Sequence, residues 1–226
     1  MSQRPTVIAI DGPAASGKST TAAAVARELG ALHLDSGSLY RALTAIALTL
    51  PGATPERVLE AARVRRLELR EAGGALLPFL DDRDAEPLLR TAEVDAAVSE
   101  LSSWPPVREW VNARLRAAAA GPRYVVLDGR DIGTAVFPDA PVKLFLTATP
   151  EARARRRLLQ RGAAAEPDAV RREAAQLAER DRRDSSRPIA PLRRADDAVL
   201  LDTTELDFPA QVGEIVRVVR RSLPGF

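Results

Sequence analysis

The chain has 226 residues, of which 46% are hydrophobic and 28% are charged, and this balance fits one globular unit with inserted subdomains. It contains no cysteine and a single histidine, which excludes a disulfide framework and a zinc site built from cysteines or a histidine cluster. Because 33 basic residues nearly balance 31 acidic ones, the charge gives only weak support for nucleic-acid binding.

The sequence carries no pattern typical of export or membrane insertion. Its N-terminus lacks the basic segment followed by a long apolar stretch that marks a signal peptide. No apolar run approaches the roughly 18 residues that a membrane span needs. We therefore expect a cytoplasmic protein without a membrane partner, and the lack of a long exposed apolar stripe predicts a monomer.

The first elements alternate between strand and helix. Residues Thr6–Ile10 are apolar and rich in β-branched side chains, which predicts a buried parallel strand. The alanine-rich segment Ser19–Leu29 predicts a helix that ends at Gly30. A second strand at Ala31–Leu34 and a helix at Ser38–Leu50 follow.

The middle of the chain has a different pattern. Residues Arg65–Arg70 alternate between polar and apolar, the pair Gly73 and Gly74 interrupts them, and Ala75–Leu80 resumes the apolar character. This arrangement predicts a half-exposed antiparallel hairpin, unlike the buried strands on either side. We therefore interpret it as part of an insertion.

The second half returns to alternating elements. Helices are predicted at Thr91–Leu101 and Pro106–Ala120, and buried strands at Tyr124–Leu127, Val142–Thr147 and Ala198–Leu201. Arginine-rich helical segments fill the interval between the last two strands. Strands alternating with helices predict an α/β fold, a doubly wound parallel five-stranded sheet covered on both faces.

A phosphate-binding loop follows the first strand. The pattern G-x-x-x-x-G-K-[ST] is matched by Gly12, Pro13, Ala14, Ala15, Ser16, Gly17, Lys18 and Ser19. The glycines let the backbone curl around phosphate oxygens, and the following helix N-terminus adds unpaired donors. Lys18 would reach the β- and γ-phosphates, and Ser19 would be a ligand of Mg²⁺. The motif predicts a P-loop NTPase-type fold.

Two short motifs follow the second and third strands and so reach the same edge of the sheet. Ser36 and Arg41 follow the second strand, and Asp128, Arg130 and Asp131 follow the third. Asp128 has the position of a carboxylate that orients Mg²⁺ or its waters. Since guanidinium groups pair with phosphate, the two arginines favour an acceptor that itself carries a phosphate.

A third basic motif lies in the arginine-rich interval. Arg180, Asp184 and Arg187 have the i, i+4, i+7 spacing that places side chains on one face of a helix. A solvated face with weak salt bridges has the same spacing. Beside a phosphate loop, the motif favours a helical lid that closes over phosphates and excludes water.

These features predict five consecutive segments along the chain. The core, with the phosphate loop, comprises residues 1–37, 113–152 and 188–226. Residues 38–112 form an acceptor-binding insertion that contains the hairpin, and residues 153–187 form the arginine-rich lid.

The motifs, taken in order, resemble the bacterial type of cytidylate kinase over nearly the whole chain. The matching segments are Gly12–Thr20, Leu34–Arg41, Arg90–Val94, Val107–Glu109, Leu127–Thr134, Phe137–Pro141 and Arg180–Pro191. One departure is Ala15 and Ser16, where that family often has Gly and then Ala. Neither position is fixed in the phosphate-loop motif.

The resemblance implies a role for each matching residue. Arg41, Arg130 and Arg187 would hold the acceptor phosphate. The cytosine would be read by Ser99, Arg108 and Asp131, together with Ser36. Arg180 and Asp184 would lie near the ribose. The donor ATP would contact Thr20 and Arg157 in addition to the phosphate loop, and Lys18, Asp128, Arg130 and Arg187 would act at the reacting centre.

The implied reaction transfers the γ-phosphate of ATP, with Mg²⁺, to CMP or dCMP. Such a transfer proceeds in line and needs positioning and charge neutralisation more than a strong base. A phosphate acceptor is already ionised, so His33 is expected to be an ordinary strand residue.

Three alternatives differ in class. Another P-loop kinase, for a different nucleotide or for shikimate, would share the phosphate loop but not the residues that read the cytosine. A GTP-binding switch would carry an Asn-Lys-x-Asp segment, which the sequence lacks. A nucleic-acid-binding module is suggested only by the pI of about 9.5 and is disfavoured because 4% of residues are aromatic.

Overall fold

The computed structural model describes residues 5–223, and their strands form one twisted sheet. The strands are β1 (Thr6–Asp11), β2 (Leu32–Asp35), β3 (Glu68–Ala72), β4 (Ala75–Leu80), β5 (Arg83–Asp84), β6 (Tyr124–Gly129), β7 (Val142–Thr147) and β8 (Val199–Asp202). Their order is β3-β4-β2-β6-β1-β7-β8, and β5 pairs with β4.

The five strands predicted as the core, β2, β6, β1, β7 and β8, are parallel and adjacent, which confirms the expected doubly wound sheet. β1 lies at the centre, where Ile8 and Ile10 are fully buried. In the register of the sheet, Asp128 of β6 pairs with Ile10 of β1 and Asp35 of β2. The carboxyl ends of these three strands are therefore level, which brings the loops after them together.

The hairpin of β3 and β4 is antiparallel, as predicted, and Gly73 and Gly74 form its turn with φ of 59° and 80°. The hairpin is also joined to the central sheet, which the sequence did not predict. β4 lies parallel to β2, with His33 opposite Ala75, and the His33 N–H donates to the Gly74 carbonyl at 3.1 Å. Because β2 is the last strand of the parallel set, its free edge accepts the hairpin, and the described sheet has eight strands.

Helices cover both faces of the sheet. They are α1 (Lys18–Leu29), α2 (Ser36–Leu48), α3 (Pro55–Val64), α4 (Glu86–Leu89), α5 (Ala92–Leu101), α6 (Pro105–Ala119), α7 (Pro150–Gln160), α8 (Pro167–Ser185) and α9 (Phe208–Ser222), with one π-helical turn at Ile132–Val136. One apolar core joins α1 and α9 to the sheet, and a second joins α2, α3, α5 and α6 to the opposite face.

Capping residues decide where several of these helices begin. α2 starts two residues earlier than predicted because the Asp35 carboxylate accepts from the Gly37 N–H at 2.8 Å. Thr54, Thr91 and Asp207 cap α3, α5 and α9 in the same way. Among residues 5–223, no helix is both long and apolar enough to cross a membrane.

Candidate active site

The phosphate loop connects β1 to α1 and depends on two glycines with positive φ. At Gly12, where φ is 152°, a Cβ atom would lie 2.1 Å from the Leu146 carbonyl oxygen, so no larger residue fits. Gly17, with φ of 86°, is the N-cap residue of α1. Ala15 also adopts a left-handed conformation, with φ of 57°, at a position where a side chain costs conformational energy.

Lys18 lies in the first turn of α1 and is 5% exposed. Its Nζ donates to the Pro13 carbonyl at 2.8 Å, across the phosphate loop. Burial, followed by the nearby Arg130 guanidinium, lowers the pKa of Lys18 to about 7. A polyphosphate bound in the loop would supply the negative counter-charge that favours the protonated form of this buried amine.

Asp128, at the end of β6, connects the phosphate loop to β2. The Ser19 hydroxyl donates to Asp128 Oδ2 at 2.5 Å, and His33 Nε2 lies 2.8 Å from Asp128 Oδ1. Burial works to lower the pKa of His33, but its bond to Asp128 outweighs this and raises that pKa. His33 is a strand residue, as expected, yet sequence reasoning missed its contact with Asp128.

A buried ion pair lies in the part of the cavity that faces the acceptor insertion. Arg108 of α6 pairs with Asp131, and their side chains are 3% and 7% exposed. Arg108 also donates to the Ser102 carbonyl at 3.1 Å, and its guanidinium lies 5.6 Å from the centre of the Tyr40 ring. Such a pair is strongly oriented, because each partner would be costly to bury alone.

A second group of charged side chains surrounds Asp184 of α8. Arg130 Nε lies 3.1 Å from Asp184 Oδ2, and Arg187 pairs with the same carboxylate. The prediction that Arg187 lies on the helix with Arg180 and Asp184 is wrong, because α8 ends at Ser185. Arg187 still reaches the site from the following turn, where it donates to Ser102 Oγ at 2.8 Å.

One cavity of about 400 Å³ brings the predicted residues together. Its lining includes every residue assigned to the acceptor, namely Ser36, Arg41, Ser99, Arg108, Arg130, Asp131, Arg180, Asp184 and Arg187. On the donor side it includes Ala14, Ala15, Gly17, Lys18, Ser19, Thr20 and Arg157. Gly12, Pro13 and Ser16 are outside this lining, since they form the buried side of the loop.

The base of α7 and α8 is docked on the tip of the phosphate loop. The Ala14 N–H donates to Asp181 Oδ1 at 2.9 Å, and Arg153 Nη1 donates to the Ala14 carbonyl at 2.9 Å. Arg153 and Asp181 also pair with each other. An apolar cluster that includes Ala14, Leu158 and Leu177 lies beside them. Sequence reasoning missed Arg153 and Asp181, because these contacts join residues far apart in the chain.

Asp11, at the end of β1, fixes the turn that carries Asp131. Its two carboxylate oxygens accept from the Ile132 and Gly133 N–H groups, each at 2.8 Å. Burial raises the pKa of Asp11 to about 6, although these two hydrogen bonds oppose the shift. The folded protein therefore holds a proton on Asp11 at a pH where the unfolded chain has lost it.

This raised pKa predicts a pH dependence of stability. As pH rises from about 4 to about 6, the unfolded chain loses the Asp11 proton first, so this group's contribution to the free energy of unfolding falls. Urea unfolding across this range should show a shallower decline in Asp11→Asn than in wild type, whatever the absolute stability of the variant. Equal slopes would contradict the raised pKa, and Asp207→Asn, at an exposed helix cap, is the control.

The doubly wound sheet, the phosphate loop at its centre and the facing arginine-lined cavity define a phosphotransferase of the P-loop class. The family model described as cytidylate kinase matches residues 8–221. A cytidylate kinase of Geobacillus sp. strain WCH70 is 41% identical over 218 residues, which cover 96% of this chain and 97% of the relative. One from Pseudomonas aeruginosa strain LESB58 is 42% identical over 222 residues and covers 95% of each chain.

Among solved structures, a shikimate kinase from Bacteroides thetaiotaomicron aligns with 97% of this chain and 98% of its own at 16% identity, with a TM-score of 0.48. The sequence matches decide the family. The chain belongs to the cytidylate kinase family, as its motifs predicted.

Proposed function

We propose that this enzyme transfers the γ-phosphate of ATP to CMP, and also to dCMP. The observation that carries the proposal is one cavity whose lining combines the phosphate loop, a group of arginines and the buried Arg108–Asp131 pair. The proposal assigns the donor site, the acceptor-phosphate site and the base site to different parts of this cavity.

The donor half supports this function through the phosphate loop. The loop backbone and Lys18 would bind the β- and γ-phosphates, and Arg157 would lie against the donor nucleotide. The Lys18 amine now donates to the Pro13 carbonyl and is free to turn towards a phosphate. Direct in-line transfer, without a covalent enzyme intermediate, needs this positive charge at the transferred group.

Ser19 and Asp128 fit a magnesium site. Hydroxyl and carboxylate oxygens are the ligand types that Mg²⁺ prefers, and these two side chains are already 2.5 Å apart. We propose that Ser19 binds the ion directly and that Asp128 holds it through a water. When bound, Mg²⁺ neutralises charge on the transferred phosphate.

The acceptor half supports a phosphorylated cytosine nucleotide. Arg41, Arg130 and Arg187 would bind its phosphate, and Arg180 and Asp184 would lie near its ribose. Asp131 would accept from the cytosine N4 amino group while Arg108 donates to the ring acceptors, with Ser99 and Ser36 beside them. Uracil presents the opposite groups at two of these positions and would leave buried partners unpaired, which is costly.

The lid completes the site in this proposal. Residues 153–187 would close over the reacting phosphates, exclude water and so prevent wasteful hydrolysis of ATP. The docking of Asp181 and Arg153 on Ala14 supports the assignment, because it joins α7 and α8 to the donor loop. The proposal also takes residues 38–112 as the acceptor insertion and the enzyme as a cytoplasmic monomer that binds small nucleotides and no nucleic acid.

An acceptor panel tests the function. Initial rates with ATP and Mg²⁺ should be highest for CMP and dCMP and at least about a hundredfold lower for UMP, AMP, GMP and shikimate, because unpaired buried groups penalise the wrong base. Omitting Mg²⁺ should abolish the CMP reaction. Comparable rates on every acceptor, or none on CMP, would overturn the proposal.

A further inference from the structure

Asp95, in the first turn of α5, contacts three arginines at once. Its Oδ1 lies 2.6 Å from Arg41 Nη1. Its Oδ2 lies 2.8 Å from Arg157 Nη2 and 3.1 Å from Arg161 Nη2. Burial works to raise the pKa of Asp95, but the guanidiniums of Arg41, Arg157 and Arg180, with Arg41 the strongest, outweigh it and hold that pKa below its usual value. The Asp95 carboxylate therefore stays negatively charged among the three arginines that it contacts.

The three arginines come from different parts of the fold. Arg41 belongs to α2, beside the acceptor phosphate site, whereas Arg157 lies on α7 and Arg161 directly follows it. Asp95 thus joins α5 of the acceptor insertion to the C-terminal half of α7 in the lid. In the described residues, the salt bridges of Arg41 involve no carboxylate other than Asp95. Arg157 has a second partner in Glu173, at 3.0 Å.

The hydrogen bonds of Arg41 are all made by one nitrogen. Its Nη1 donates to Asp95 and, at 3.1 Å, to the Leu89 carbonyl. Its Nε and Nη2 make no hydrogen bond to any residue within 5–223, and Arg41 lines the cavity together with Arg130 and Lys18. A guanidinium held by one nitrogen still presents two N–H groups in a plane, which is the geometry that binds a phosphate bidentately.

We propose that Asp95 is a positioning residue, which orients Arg41 for the acceptor phosphate and ties it to Arg157 and Arg161 at the C-terminal end of α7. The inference rests on the proposed function, because it assigns the acceptor phosphate to Arg41. Asp95 touches no substrate in this arrangement and acts through the arginines. Its loss should therefore affect the acceptor more than the donor, since Arg157 keeps Glu173.

The first test compares Asp95→Asn with wild type in the CMP reaction. The KM for CMP should rise about tenfold, while the KM for ATP changes by less than about threefold, because one charged partner of an oriented arginine is lost. Asp95→Glu, which keeps the charge, should recover part of the loss. The matched control is Asp82→Asn, since Asp82 pairs with arginines on the exposed hairpin, outside the cavity lining.

A double-mutant cycle tests whether Asp95 acts through Arg41. In an Arg41→Met background, adding Asp95→Asn should not raise the KM for CMP further, since the residue that Asp95 orients is gone. Additive effects would overturn the proposal. A fall in the KM for CMP in the Asp95→Asn variant would also overturn it, because the carboxylate would then be competing with the acceptor phosphate.

A second readout needs no turnover. In the nucleotide-free protein, trypsin should cleave after Arg161 several-fold faster in Asp95→Asn than in wild type or in Asp82→Asn, because the C-terminal end of α7 has lost its tie to α5. An unchanged rate of cleavage after Arg161 would contradict the proposed link between Asp95 and α7. If wild type failed to phosphorylate CMP, the proposed function would fall, and this assay would still decide whether Asp95 joins the two segments.

Discussion

Replacing Lys18 with alanine should lower kcat for the CMP reaction by about a thousandfold or more, the range seen when a buried group that stabilises transition-state charge is lost. The amine is buried inside the phosphate loop, and within residues 5–223 it donates a hydrogen bond only to the Pro13 carbonyl. The sequence has one other lysine, Lys143 of β7, and its amine is engaged in an ion pair with Asp197 at 2.8 Å. Steady-state rates at saturating ATP and CMP measure the effect.

The control for this prediction is Lys18→Arg, which keeps the charge. It should also lose most of the activity, because a planar guanidinium cannot take the place of a compact ammonium within the loop. Circular dichroism and thermal unfolding should show both variants folded. Activity within about tenfold of wild type in Lys18→Ala would refute the assignment of the phosphate loop as the donor site, given the size of the expected effect.

The second large effect is expected at Asp131. Asp131→Ala should reduce kcat/KM for CMP by about a thousandfold and leave ATP binding nearly unchanged, because the base would lose the acceptor for its amino group. The substitution also leaves the Arg108 guanidinium buried without its carboxylate partner, which should lower the free energy of unfolding by about 3–5 kcal/mol. Displacement of a fluorescent ATP analogue and CMP kinetics separate the two effects.

A double variant distinguishes lost recognition from lost stability. Arg108→Met with Asp131→Leu removes both charges and should restore much of the stability, because an apolar pair of similar volume replaces the buried ion pair. It should remain as poor on CMP as Asp131→Ala. If the double variant regained CMP activity, the ion pair would serve stability alone and would have no part in reading the base.

Local sequence patterns predicted the parts of the molecule that depend on neighbouring residues. The strand at Thr6–Ile10, the loop after it and the helix that begins at Lys18 follow from apolar runs and glycine spacing. The hairpin was predicted from alternation and its glycine pair. Even the convergence of Arg41, Arg130 and Asp131 followed from their place after parallel strands, because such strands end at one edge.

Contacts across long sequence separations could not be predicted in this way. Nothing local marks Asp181 as a partner of Ala14, or Asp95 as a partner of Arg157. Both carboxylates lie in ordinary helical patterns, where a solvated surface is the commoner reading. The pairing of β4 with β2 was missed for the same reason, since an edge strand carries no local signal of its neighbour. Such contacts depend on how whole helices and strands are placed relative to one another in the folded chain.

The docking of the lid on Ala14 has a consequence for the pace of turnover. One residue of the donor loop, Ala14, gives both its N–H and its carbonyl to α7 and α8. Lifting these helices would therefore expose two backbone polar groups and the Arg153–Asp181 ion pair to water together. In the proposed lid role, release of ADP requires these helices to lift, so breaking these contacts becomes part of product release. We therefore expect lid opening, and not phosphate transfer, to limit kcat at saturating substrate.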